Sequence, residues 1–295
     1  MRTLLFLLFC LSAAWANAQG PSVQEIQLPP LPDRVEFAGE IVPLKDPDIR
    51  ERLMEEIISH TFFHSRTILL IKRANRWRAE IEPILDVQGV PRDFFYLAVT
   101  ESGLDNRATS PAGTKGMWQL MSGVAKSNDL EINTYVDQRR DPWLATVAAC
   151  SYIKEMKEEF GTWTNAAAAY NRGETGLRKA FANQKVTSYY DLFLNQETYR
   201  YVFRIIAYKL IMENPEAYGF VLENDDLYEP FNYSRMQIDT TINDLPEFAK
   251  QMGTTYKMLK KYNPWLDHNA RYTLFVPTGS SYIIRVPRIR QNTGY

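Results

Sequence analysis

Glu101 is the acid whose position invites chemistry. It closes an apolar run, Phe94-Phe95-Tyr96-Leu97-Ala98-Val99. A polar loop follows it, and then Gly116-Met117-Trp118-Gln119. Such a run reads as a buried helix. A carboxyl at its end meets low polarity and the negative pole of the helix, and both disfavour ionisation. A carboxyl kept protonated near neutral pH can act as a general acid. The other reading places Glu101 on a solvated face where the helix frays. Asp105, the nearest second acid, lies in a polar loop and suits a cap or turn. Asp141 and Glu174 look like helix-start residues.

Metal and thiol chemistry find little support. His60 and His64 are spaced by one helical turn, but Thr61-Phe62-Phe63 between them offers no glutamate, and His268 lies far off in sequence. The pair reads as ordinary helix-surface residues; neither a metal nor a cofactor is expected. Cys150 follows Thr146-Val147-Ala148-Ala149 and reads as a small buried hydrophobe.

The elements that must hold Glu101 read as helices. After a proline-rich stretch, residues 19–46, taken as an extended leader, the pattern turns helical from Pro47 to Asp86. Leu53, Ile57 and Ile58 form one apolar stripe; Ile68, Leu69, Ile71 and Trp77 form another. Pro83 and Gly89-Val90-Pro91 punctuate the next step. A helix over 94–101 starts at Asp93 or Pro91-Arg92, and a short one runs from about Met117 to Asn128. Asp141-Pro142 opens a helix that continues to Phe160 and stops at Gly161. Ala166–Tyr170, Gly176–Phe181 and Glu197–Met212 are also helical. From Tyr233 the grammar changes. Tyr233–Thr240, Tyr272–Val276 and Tyr282–Val286 alternate like strands, around short helices at Asn243–Met252 and Thr255–Tyr262.

Composition bounds the function. The 295 residues are 45% hydrophobic and 23% charged, with a net charge of -1, which argues against an electrostatic nucleic-acid partner. Seventeen Tyr, 15 Phe and 6 Trp suit a sugar cleft and a core alike. Arg2, the apolar run Leu4–Leu11 and Ala16-Asn17-Ala18 give a signal peptide over residues 1–18, with cleavage before Gln19. Phe9 before Cys10 is too bulky for a lipid-attachment box. An exported chain is expected.

Glu101-Ser102-Gly103-Leu104, Ser110-Pro111-Ala112-Gly113, Gly116-Met117-Trp118-Gln119-Leu120-Met121 and Ala169-Tyr170-Asn171 fall in the order found in soluble-type lytic transglycosylases. Over roughly Phe94 to Tyr201 the chain resembles that family, and within it the membrane-bound lytic murein transglycosylase D group, in which an aromatic precedes the glutamine. The resemblance implies a mainly α fold: a lysozyme-like helical catalytic domain over 47–222, with its core at 90–205. Residues 231–287 resemble a degenerate β-α-α-β LysM module, through Leu245, Phe248-Ala249, Leu259, Asn263-Pro264 and Leu274-Phe275-Val276-Pro277. The usual Gly-Asp is missing there, and Pro246 intrudes.

By resemblance, Glu101 is the catalytic acid of an enzyme cleaving peptidoglycan glycan strands with 1,6-anhydromuramyl ends. Ser110 is implied to bond the acetamido group or the acid, and Gln119 the sugar hydroxyls or N-acetyl groups. Met121 and Trp118 are implied to form walls, with Trp118 equally suited to the core. Tyr170 is implied to set its hydroxyl beside Glu101, Asn171 to tie the loop to substrate, and Glu197 and Tyr201 to close the cleft. A goose-type lysozyme-like hydrolase and a non-catalytic peptidoglycan-binding protein remain the alternative readings. Peripheral outer-membrane association and contact with cell-wall synthesis proteins stay open.

Overall fold

The computed structural model describes residues 26–266 and 272–288. The expected signal peptide, Cys10 and His268 lie outside the described residues. The chain begins with a two-stranded hairpin, β1 (Glu36–Phe37) and β2 (Glu40–Ile41), and continues into helices α1 (Pro47–Phe62) and α2 (His64–Gln88). The proline-rich stretch is therefore not a detached leader over its whole length. Val35, Phe37 and Val42 are buried in the main core. The Glu40 carboxylate accepts hydrogen bonds from the backbone N–H groups of Trp163 (2.6 Å) and Thr164 (2.9 Å).

Helix α1 starts where Asp46 caps Asp48 N–H and proline occupies the first turn. Its Leu53 and Ile57 are fully buried. In α2 the buried stripe is Leu70, Ala74, Trp77 and Ile81; Leu69, expected in it, is exposed. Pro83 does not punctuate this helix but lies inside it. Pro83 and Ala79, whose carbonyl loses its i+4 donor, are both exposed, so water can replace the missing bond.

The helix carrying the acid, α3 (Phe95–Ser102), follows a 3-10 turn at Arg92–Phe94. All residues from Phe95 to Thr100 are buried, against α2 and the late helix α8 introduced below. Asp93 does not cap α3. Its carboxylate instead accepts from Ala38 N–H at 2.6 Å and from Lys209 at 3.1 Å, so tertiary partners outcompete the local role. The next helix, α4, is Ser122–Ser127, shorter than expected, because Met117–Gln119 form a turn. Then come α5 (Pro142–Phe160), α6 (Trp163–Arg172), α7 (Glu174–Gln184) and α8 (Gln196–Glu213). Asp141 caps α5 as its position suggested, accepting from Trp143 and Leu144 N–H groups. Ala166–Ala169 are completely buried, and small side chains let α6 pack closely on α5 and α8.

The C-terminal module has the order β3 (Tyr233–Ile238), α9 (Leu245–Gln251), α10 (Tyr256–Tyr262) and β4 (Tyr282–Pro287). The strands pair antiparallel, with Met236 opposite Ile284. Tyr272–Val276 is not a strand. Only Leu274 bridges, to Ile242, while Val276 N–H turns to the Thr241 hydroxyl. Pro246 does not intrude. It occupies the first turn of α9, where a missing N–H costs nothing, under an Asp244 cap. The module is seated on the helical domain: Val136 bridges Leu266, and Asp137 N–H donates to Trp265 O at 2.8 Å.

Candidate active site

Glu101 occupies the last turn of α3, which Gly103 ends in the left-handed conformation at φ +62°. Its carboxyl is half-buried and accepts a hydrogen bond from the Tyr201 hydroxyl. Burial pushes its pKa up to about 7; the Tyr201 bond opposes this, the charge of Glu197 adds to it, and Arg204 opposes it. The group therefore holds a substantial protonated fraction at neutral pH.

Glu197, Tyr201 and Arg204 are spaced i, i+4, i+7 and share one face of α8. Arg204 donates to Glu197 at 3.2 Å, and its Nε lies 3.6 Å from the buried Glu56 carboxylate of α1. Burial raises the Glu56 pKa, but bonds from His60 and Arg200 and the Arg200 and Arg204 charges outweigh it, leaving it below the ordinary value. Glu56 and Arg204 were not anticipated. The sequence signal for Arg204 was its one-face spacing from Glu197 and Tyr201. His60 is accordingly not an ordinary surface residue: it lies 3.2 Å from Glu56 and its ring stacks on Tyr208. Nor are His60 and His64 one turn apart on a helix, because α1 ends between them.

Tyr170 does not hydrogen-bond Glu101. Its hydroxyl donates to the Trp118 carbonyl at 2.6 Å. Burial first, then the nearby Glu101 charge, hold its phenol well above the ordinary value, so it stays neutral. Trp118 is core rather than wall: it is fully buried and its indole donates to Thr146 Oγ1 at 2.8 Å. Ser110 is likewise not bonded to the acid. Thr114 Oγ1 bridges Ser110 Oγ (2.7 Å) and Gln119 Oε1 (2.6 Å), and Gln119 Nε2 donates to Gly116 O. Gln119 sits at φ +48°, a strained setting for a non-glycine residue and of the kind that gathers at functional sites. Met121 is 48% exposed just before α4. Asn171 Oδ1 accepts from Thr198 Oγ1 at 2.9 Å, tying α6 to the start of α8.

Gly116 anchors this loop. It has φ +81°, and an added Cβ would fall 1.8 Å from the Arg139 carbonyl oxygen. Arg139 is itself clamped on Asp137 (2.8 Å). The Ser102 hydroxyl donates to Met117 O at 2.7 Å and joins the loop to the end of α3. Two groups of expected residues therefore emerge. Glu101, Tyr201, Glu197 and Tyr170 interact electrostatically, while Ser110 and Gln119 form a separate bonded chain through Thr114. Among the described residues no three His, Cys, Asp or Glu side chains are placed to hold a metal ion. No helix of the described residues is long and apolar enough to cross a membrane.

Residues 83–193 match the transglycosylase SLT domain, and residues 234–290 match the soluble lytic transglycosylase C-terminal LysM-like domain. Membrane-bound lytic murein transglycosylase D of Escherichia coli (strain K12) is 28% identical over 235 residues, covering 77% of this chain and 50% of that protein. The chain thus spans about half the length of the curated relative it matches. The 70 kDa soluble lytic transglycosylase of Escherichia coli is similar at 22% identity and a TM-score of 0.41, over 48% of this chain and 24% of that one. A lytic transglycosylase of Pseudomonas aeruginosa is similar at 19% identity and a TM-score of 0.40, over 52% and 26%. The chain carries a transglycosylase SLT domain followed by a LysM-like domain, and it is homologous to membrane-bound lytic murein transglycosylase D.

Proposed function

We propose that this chain is a peptidoglycan lytic transglycosylase of a bacterial envelope, acting in cell-wall turnover. It cleaves the β-1,4 bond between N-acetylmuramic acid and N-acetylglucosamine. The observation that carries this reading is the half-buried Glu101 carboxyl, held by Tyr201, with its pKa pushed to about 7.

Glu101 gives its proton to the glycosidic oxygen as the bond from that oxygen to C1 breaks. The muramyl 2-acetamido oxygen closes on C1 and takes up the developing charge. The Glu101 carboxylate then removes the proton of the muramyl 6-hydroxyl. O6 bonds to C1, the acetamido oxygen leaves it, and a 1,6-anhydro end results with the acid restored. Tyr201 stabilises the carboxylate between the two steps. Neutral Tyr170 orders the turn before Gln119 through the Trp118 carbonyl. Ser110 and Gln119 receive the N-acetyl and hydroxyl groups, and exposed Met121 gives an apolar contact. Asn171 ties the loop to the substrate, and Glu197 and Tyr201 close the cleft. A signal peptide over residues 1–18, export to the periplasm and a domain over 47–222 belong to the same reading.

One observation favours a second reading, hydrolysis. Glu197 is a second carboxylate that acts on Glu101 electrostatically, and an inverting hydrolase uses such a base to activate water. Against that role, Glu197 is exposed and paired with Arg204. Mass spectrometry of digested wall glycan separates the two. Anhydromuramyl ends are expected, with Glu101→Gln lowering the rate by about 10²–10⁴-fold and Glu197→Gln remaining active. Reducing muramyl ends, together with an inactive Glu197→Gln, would assign hydrolysis instead.

A further inference from the structure

The seam between the helical domain and the C-terminal module encloses a cavity of about 630 Å³, and Glu101 does not line it. Its walls are unusually cationic. Arg73 and Arg76 come from α2, Arg140 from the turn before α5, and Lys257 and Lys261 from α10. The chain as a whole is nearly neutral, at -1, so this clustering does not follow from composition.

The three arginines are oriented without being neutralised. Arg73 donates to Gly103 O at 2.9 Å, and Arg76 to Glu229 O at 3.0 Å. Arg140 donates to Thr109 Oγ1 at 2.9 Å and to Asn106 O at 3.4 Å. Carbonyl and hydroxyl oxygens fix direction but carry no formal charge. Among the described residues, none of these five cations has a carboxylate in ion-pair contact. One acid, Asp105, also lines the cavity, 3.7 Å from Arg107 of the same wall, and lining Lys115 is held by Asp137 at 3.0 Å. The crowding is felt. Burial first and then Arg73 hold Arg76 below its ordinary pKa, and burial, Arg76 and Lys257 do the same to Lys261.

The cavity also has an apolar side. Trp77, Leu104, Tyr228 and Phe231 line it, with the Arg76 guanidinium 4.8 Å from the ring centres of both Tyr228 and Phe231. A cationic wall beside aromatic and aliphatic surface suits an organic molecule that carries several negative charges. A cavity of this volume is within the range for compact ligands.

We propose that this seam is a binding site for a compact organic polyanion, bearing carboxylate or phosphate groups, distinct from the Glu101 site. It joins the two domains, because α2 and α10 both supply lining residues. The inference does not rest on the catalytic reading.

Isothermal titration calorimetry of the full chain tests it, with citrate as a polycarboxylate probe and fructose 1,6-bisphosphate as a polyphosphate probe. At least one is expected to bind in a one-to-one ratio, with affinity falling as salt rises. The stronger of the two names the anionic group. Lys257→Gln/Lys261→Gln, at two exposed positions of α10, is expected to weaken binding by about tenfold or more. Lys257→Arg/Lys261→Arg is expected to retain it, and an unchanged melting temperature for both variants separates lost charge from lost fold. The proposal is overturned if neither anion binds the unaltered chain, or if the neutralised pair binds as tightly as the original.

Discussion

Glu101 has two neighbours of opposite charge on one helix face, and they pull its proton affinity in opposite directions. The carboxylate of Glu197 raises it and the guanidinium of Arg204 lowers it, on top of the larger effect of burial. A general acid works in its protonated form, so the rate is expected to fall as pH rises through about 7. Removing the negative neighbour, Glu197→Gln, is expected to move that alkaline limb to lower pH. Removing the positive one, Arg204→Gln, is expected to move it to higher pH. The check is a kcat/KM profile against pH on purified wall glycan for the three proteins. Limbs that stay together, or that move the same way, would rule out this electrostatic account. Glu101 itself was legible in the sequence, as an acid ending an apolar run. Its direct partner was not, because Tyr170 and Tyr201 are equally plausible until packing buries one hydroxyl against the carboxyl and the other against a carbonyl.

At the scale of the element, the loop between α3 and α4 depends on one close approach. Gly116 meets the Arg139 carbonyl where no Cβ fits, and its φ of +81° disfavours any L side chain. Backbone, not a flexible side chain, stands in the way, so relief requires the loop to move. Gly116→Ala is expected to cost roughly 3 kcal/mol of stability and to displace Gln119 and Trp118 with it. Thermal denaturation followed by circular dichroism reads the first effect, and loss of wall lysis reads the second. A variant that melts and lyses like the original would show that the loop yields freely. The helix start at Asp141 was readable from capping chemistry, because a cap is made by residues two or three apart, and Asp46 and Thr162 cap α1 and α6 in the same way. Asp93 misled for the complementary reason. Its best donors, Ala38 N–H and Lys209, lie far away in sequence.

For the whole molecule, the joint between domains turns on Arg285. This residue of β4 is buried, donates to Asp141 at 3.0 Å, and lies 3.3 Å from the ring centre of Trp143. Asp141 at the same time caps α5, so one carboxylate serves helix and interface together. Arg285→Ala is expected to destabilise the docked module by about 3–5 kcal/mol, because it leaves a buried carboxylate unpaired. Limited proteolysis around residues 223–232 reads this as faster cleavage, and the melting temperature falls. Unchanged cleavage and melting would assign the docking to the apolar contacts alone. The hairpin at β1 and β2 belongs to this scale too: Glu40 caps α6 from more than a hundred positions away, which no local reading of a proline-rich stretch discloses.

The order of motifs, the helical grammar and the β-α-α-β module were determined by the sequence itself. Apolar periodicity, capping residues and glycine positions act over a few residues and leave a local trace. Tertiary structure alone decided which tyrosine holds the acid, what balances its charge, and which cations gather at the seam. Those outcomes depend on charges and hydrogen bonds between segments distant in sequence, where spacing along the chain carries no distance.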